Sequence, residues 1–127
     1  MIDYAAAGNL LEAYAAARNG FDGDGWVALF SDDAEYHEDP FGAPLVGHNA
    51  LRAYLLDAAA SQQDVDFTME RHWVSGDTVL AAWHVTFVSR RTAQLVRLAG
   101  FLTAEVARDG RIARFREWTV HEPAANG

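Results

Sequence analysis

The chain has 127 residues, half of them apolar and 12% aromatic, with 18 acidic against 10 basic side chains and a formal net charge of -8 at pH 7. That length and composition suit a single globular domain, residues 1–127, with one core, and exclude a disordered chain. The acidic balance argues against nucleic acid and anionic membrane surfaces as partners and favours a neutral or apolar small molecule. No apolar run reaches the ~20 residues of a membrane span, and the opening MIDYAAAGNL lacks the basic-then-apolar order of a secretory leader. Without cysteine there can be no disulfide, thiol nucleophile or cysteine-held metal, and a cytoplasmic location is expected.

The first helix is expected over Tyr4 to Asn19, where Leu10, Tyr14 and Ala17 share a face with Leu11 beside them and Gly20 ends the run. Asp22 or Asp24 can cap a short second helix carrying Trp26, Leu29 and Phe30. Ala34 to Asp39 reads as a short strand. Gly47 opens a third helix, with Leu51, Tyr54, Leu55 and Ala58 at helical spacing. After residues 62–64 the pattern turns to strands: Val65 to Val74, Thr78 to Val88, Leu95 to Ala107 and Arg111 to His121. Turns or loops at Ser75-Gly76-Asp77, Ser89 to Gln94 and Arg108-Asp109-Gly110 separate them. Residues 122–127 have nothing to bury and are expected to fray. Helices first and strands second imply an α+β layer, with three helices across one face of a curved, mostly antiparallel sheet and a pocket enclosed between them. The strands are apolar on both faces, so a second copy is expected on the other side: a homodimer through the sheet.

The stretch AEYHEDPFGAPLVG places two acids at the mouth of a turn, with aromatics on both sides. Asp39-Pro40-Phe41-Gly42 carries the residues of a type I turn, which accounts for one aspartate, the proline and the glycine. It does not account for Tyr36 or Phe41, which fit a pocket. Asp39 therefore has a structural and a chemical reading. The segment FSDDAEYHEDPFGAPLVG followed by a helix, with the closing strand DGRIARFREW, resembles the nuclear transport factor 2-like superfamily in its SnoaL-like and ketosteroid isomerase-like branch. The resemblance covers nearly the whole chain and implies a cone-shaped, cystatin-like α+β fold. That fold hosts isomerases, cyclases, epoxide hydrolases, dehydratases and binding domains, so it does not by itself name an activity.

Residue by residue, the resemblance implies Asp39 as general base and Tyr14 as the oxyanion-hole tyrosine. One extra residue stands between Asp33 and Asp39, so either a bulge absorbs it or Glu38 is the inward acid. The family's second oxyanion donor, an acid, falls on Thr103 or Leu102, and neither is acidic. In the SnoaL-like cyclases an acid on the last strand takes the place of Glu117, a second acid/base candidate. Such residues suit proton abstraction beside a carbonyl: a carboxylate in an apolar site is a stronger base, and a phenol stabilises the enolate oxygen. The implied reaction is a cofactor-free isomerisation or aldol-type cyclisation of a hydrophobic, carbonyl-bearing molecule, steroid-like or polyketide-like. The alternative is a binding or protein-interaction domain of the same fold without catalysis.

Plainer roles stand beside these. Tyr14 can be a core tyrosine, and Glu117, which alternates with Phe115 and Thr119, can pair with an arginine across strands. Glu38, Phe41, Trp26, Trp83, Phe101, Thr103 and Phe115 are candidate ligand contacts, although strand aromatics also serve core and dimer packing. His37 and Asp39 should face together with Glu38 turned away, and His72 and His84 can meet across the sheet. No HExxH, GxSxG, GxxxxGK[ST] or GxGxxG occurs, no metal is expected, and Arg97 lacks the aspartate two residues on that epoxide hydrolases of this fold carry.

Overall fold

Side-chain caps decide where the helices begin. In the computed structural model, which describes residues 1–123, Asp3 is extended and its carboxylate accepts the Ala6 N–H at 2.7 Å. Helix α1 (Tyr4–Asn19) follows, with Ala7, Leu11, Tyr14 and Ala17 as its buried stripe. It ends at Gly20 as expected, but without a left-handed glycine. Gly20 keeps an ordinary φ of -92°, and Phe21 is the left-handed residue, with φ 48°. Asp22, not Asp24, caps α2 (Gly23–Val27) by accepting the Gly25 N–H at 3.0 Å. Helix α3 (His48–Ser61) starts behind Gly47, whose φ of 85° suits only glycine without strain.

The strands are β1 (Phe30–His37), β2 (Leu45–Val46), β3 (Gln62–Ser75), β4 (Thr78–Ser89), β5 (Leu95–Val106) and β6 (Ile112–His121). They form one six-stranded sheet in the order β2-β1-β6-β5-β4-β3. β1 runs parallel to β6, and every other pairing is antiparallel. β1 starts at Phe30 instead of Ala34 because Phe30 pairs with Ile112, far along the chain. β2 was not foreseen; its two residues pair with Glu35 and Tyr36. The register of β1 against β6 shifts between Phe30 and Glu35.

Along β4, Val79, Ala81, Trp83 and Val85 are buried toward the helices, and on β5 and β6 so are Leu102, Ala104, Phe115 and Glu117. The opposite face carries Trp73, Phe101 and Trp118. Trp73 and Phe101 approach to 5.9 Å between ring centroids, and Trp73 and Trp118 stay 39% and 40% exposed. The core is therefore one-sided, between helices and sheet. Of the segment 122–127, Glu122 is tied down: its N–H donates to the Arg97 carbonyl at 3.0 Å and its carboxylate lies 3.5 Å from the Arg97 guanidinium. Residues 124–127 lie outside those described. No helix among the described residues is long and apolar enough to cross a membrane.

Candidate functional site

Alternation along β1 sends Ala34 and Tyr36 into the core, and both are fully buried. Glu38 continues on that side just past the strand and accepts the Tyr54 hydroxyl at 3.3 Å. Glu38 is thus the inward acid. The chain then turns. The Asp39 carboxylate accepts the Phe41 N–H at 2.9 Å, and the Gly42 N–H reaches the Asp39 carbonyl at 3.2 Å. Asp39 and Phe41 sit on the lip of a cleft of about 840 Å³ between the helices and the sheet. It is an open cleft rather than the enclosed pocket expected, for Phe41 on its lip is 96% exposed.

The floor of the cleft holds Glu117, the buried charged residue of the described chain at 7% exposure. The Tyr36 hydroxyl donates to its Oε1 at 3.0 Å, and the Tyr14 hydroxyl stands 3.5 Å behind that of Tyr36. Burial pushes the Glu117 carboxyl up from its ordinary value to about 7; Arg18 and the Tyr36 hydrogen bond pull it back part of the way, and Glu38 adds to the rise. Burial likewise lifts Tyr14 to about 12 and Tyr36 and Tyr54 well above an ordinary phenol, so all three remain neutral donors at physiological pH. Glu117 does not make the ion pair its sequence position allowed: Arg116 and Arg114 point to the other face, where Arg114 pairs with Glu35 at 3.0 Å.

Of the expected contacts, Asp39, Glu117, Glu38, Phe41 and Trp83 border the cleft. Trp26 and Phe115 do not. They are core residues, with Phe115 stacked on both Tyr14 (5.3 Å) and Tyr36 (4.8 Å). Tyr14 belongs to the same core, and Tyr36 separates it from the acid. Phe101 and Thr103 lie on the far face of the sheet, because Leu102 is the residue that pairs with Glu117 and faces inward with it. Of the two positions on which the resemblance puts the second oxyanion acid, Leu102 is the one that faces inward. His72 and His84 do not meet: His72 stacks on Tyr4 at 4.0 Å, and His84 binds Glu70 at 2.6 Å on the outer face. Among the described residues no three His, Asp or Glu side chains converge as a metal site.

Sequence reading missed Arg18, placed Tyr36 at a pocket without a role, and gave Tyr54 and Phe67 none beyond their elements. Each sits at a legible position. Arg18 follows Tyr14 by one helical turn on the buried stripe, the one basic residue there, and Tyr36 lies between Ala34 and Glu38 on the inward side of β1. Tyr54 shares the inner face of α3 with Leu51.

A family model described as a SnoaL-like domain matches residues 11–115. The chain belongs to the SnoaL-like family. Solved structures of related form cover most of it. A protein from Shewanella denitrificans OS-217 assigned as a SnoaL-like polyketide cyclase is 13% identical, with a TM-score of 0.80 and 90% of each chain covered. One from Bacillus subtilis assigned as an isomerase is 24% identical, with a TM-score of 0.81 over 94% of this chain and 90% of that one. A Mycobacterium tuberculosis protein in complex with estradiol-17β-hemisuccinate is 20% identical, with a TM-score of 0.76 over 89% and 92%. At these identities the likeness establishes the nuclear transport factor 2-like fold for this SnoaL-like chain and leaves its reaction to the site.

Proposed function

We propose that this SnoaL-like protein is a cofactor-free acid/base enzyme, an isomerase or cyclase acting beside the carbonyl of an apolar molecule, with Glu117 moving the proton. The carrying observation is the Glu117 carboxyl on the cleft floor, hydrogen-bonded by Tyr36 and held at a pKa of about 7 by burial. Such a group is part base and part acid at neutral pH, the condition under which it can take a proton from one carbon and return it to another. Phe67, Trp83, Val85, Phe87 and Leu98 line the cleft with apolar surface. Its volume, about 840 Å³, lies within the range of small-molecule sites. The steroid ester bound by the Mycobacterium tuberculosis protein supports a ligand of that size. Tyr54, on turning its hydroxyl from the long 3.3 Å bond to Glu38, supplies a neutral donor for the enolate oxygen. Tyr14 supports the acid through Tyr36, and Asp39, at the lip, shapes the turn.

The test is isomerisation of a β,γ-unsaturated 3-ketosteroid to its conjugated isomer, followed by ultraviolet absorbance, in wild type, Glu117→Gln and Asp39→Asn. Glu117→Gln is expected to lose about 10²-fold or more, and Asp39→Asn to stay within a few-fold of wild type. The reverse order of effects would return the base to Asp39. A second reading, binding without catalysis, is favoured by Leu102 standing where an acidic donor is needed. Ligand recovered bound but chemically unchanged, with no solvent deuterium at its α-carbon, would support that reading.

A further inference from the structure

Arg18 lies in the last turn of α1 and borders the cleft. Its guanidinium carbon is 5.6 Å from the Trp26 ring centroid, 5.5 Å from Tyr54 and 5.8 Å from Phe67. The three rings pack near the cation, and a ring face offers its N–H groups no oxygen acceptor. Of five N–H donors, one reaches a protein acceptor, Nη1 to the Tyr14 hydroxyl, and at 3.5 Å that bond is at its outer limit. Among the described residues no carboxylate pairs with Arg18, whereas Arg52, Arg97, Arg111 and Arg114 each have one. Glu117 feels the Arg18 charge but makes no salt bridge with it, and its Oε1 accepts from Tyr36. A partly buried cation with free donors on a cavity wall is costly unless something anionic meets it there.

We propose that the cleft takes its ligand as a carboxylate: an apolar carbonyl compound with an acid group that docks on the free N–H edge of Arg18, beside Glu117. The inference deepens the acid/base reading, since it names the substrate class of the same cleft. The apolar wall of Phe67, Trp83 and Leu98 takes the hydrocarbon body, and the planar guanidinium fork fits a carboxylate with two parallel hydrogen bonds. The acidic surface does not prevent this. Charges beyond a Debye length of about 8 Å are screened at physiological salt, so the local cation dominates inside the cleft.

The probes are 2-naphthoate and its methyl ester, titrated into the protein while the Arg18 Nε–H resonance is followed by NMR. Wild type is expected to give a saturable shift with naphthoate and to bind the ester at least roughly tenfold more weakly. Arg18→Met should bind acid and ester alike, and Arg18→Lys should keep part of the preference. Equal binding of acid and ester by wild type, or no saturable shift up to about 10 mM naphthoate, would overturn the proposal. If Arg18→Met does not fold, the wild-type titration and Arg18→Lys still decide. Glu117→Gln separates this inference from the catalytic reading. Losing a neighbouring negative charge, it should bind naphthoate at least as well as wild type while failing to isomerise the ketosteroid. Acid preference with an active Glu117→Gln would sink only the acid/base reading. An inactive Glu117→Gln without acid preference in wild type would sink only this one.

Discussion

At the scale of the residue, Glu117 sets the pH behaviour of the molecule. The groups around it are Arg18 and Tyr14 from α1, Tyr36 and Glu38 from β1 and its end, Tyr54 from α3, and His121 on its own strand. Its folded pKa is raised, so between its ordinary value and about 7 the folded chain holds a proton that the unfolded chain releases. Stability therefore falls as pH rises through that window, and the loss is complete above about 7. A rise of this size corresponds to a cost on the order of 3 kcal/mol at alkaline pH. Glu117→Gln should be more stable than wild type at pH 8 and lose that advantage at pH 5, as read by urea denaturation at the two values. Tyr36→Phe removes the one hydrogen bond that steadies the charged carboxylate. The Glu117 pKa should then climb further, which carbon-13 NMR of the carboxyl can follow, at a stability cost of about 1 kcal/mol.

At the scale of the element, two joints hold the walls of the cleft. Asn19, at the end of α1, clasps β3 by donating to the Phe67 carbonyl at 3.1 Å and accepting the Phe67 N–H at 2.6 Å. Phe67 in turn stacks on Trp83 at 5.4 Å and faces Arg18. Asn19→Ala leaves a strand N–H and C=O without partners. It should cost about 2 kcal/mol in thermal or urea unfolding and weaken ligand binding by loosening Phe67. The second joint is Gly100 on β5, across from Trp83 on β4. A Cβ there would collide with the Trp83 ring and the Trp118 carbonyl oxygen. Gly100→Ala should therefore destabilise by more than about 2 kcal/mol, or displace Trp83 and open the cleft, outcomes that unfolding and tryptophan fluorescence distinguish. The glycine is needed for space and not for an unusual φ.

At the scale of the whole molecule, the outer sheet face is the unfinished surface. Trp73, Phe101, Trp118 and Val120 form an apolar band on it, with Val120 70% exposed. We propose that a second copy packs on that band, because strands apolar on both sides have no other covering among the described residues. Trp118→Glu should then give a monomer in analytical ultracentrifugation with its secondary structure unchanged. A wild-type monomer at micromolar concentration would count against the dimer.

Local pattern determined much of this protein. The helical period that pairs Tyr14 with Ala17, a cap from Asp22 or Asp24, the alternation of β3 and the Arg108-Asp109-Gly110 hairpin are short-range physics and were legible in the sequence, whereas the choice of Leu11 over Leu10 for the buried stripe and of Asp22 for the cap was not. The family, too, was legible in the EDPFG turn and the closing strand. The chemistry of the site was not, because it depends on partners far apart in the chain. The sequence shows the neighbours of Asp39 but not its exposure, so it left a turn role and a base role both open. Glu117 looked ready for an arginine because alternation gives a face but not what stands on it. Only the parallel pairing of β1 with β6 brings Tyr36 to Glu117, and only the packing of α1 on β3 sets Arg18 among Trp26, Tyr54 and Phe67. Burial and the distance between remote charges fix whether a carboxyl is a turn cap or an acid, and both quantities come into being only when the chain closes on itself.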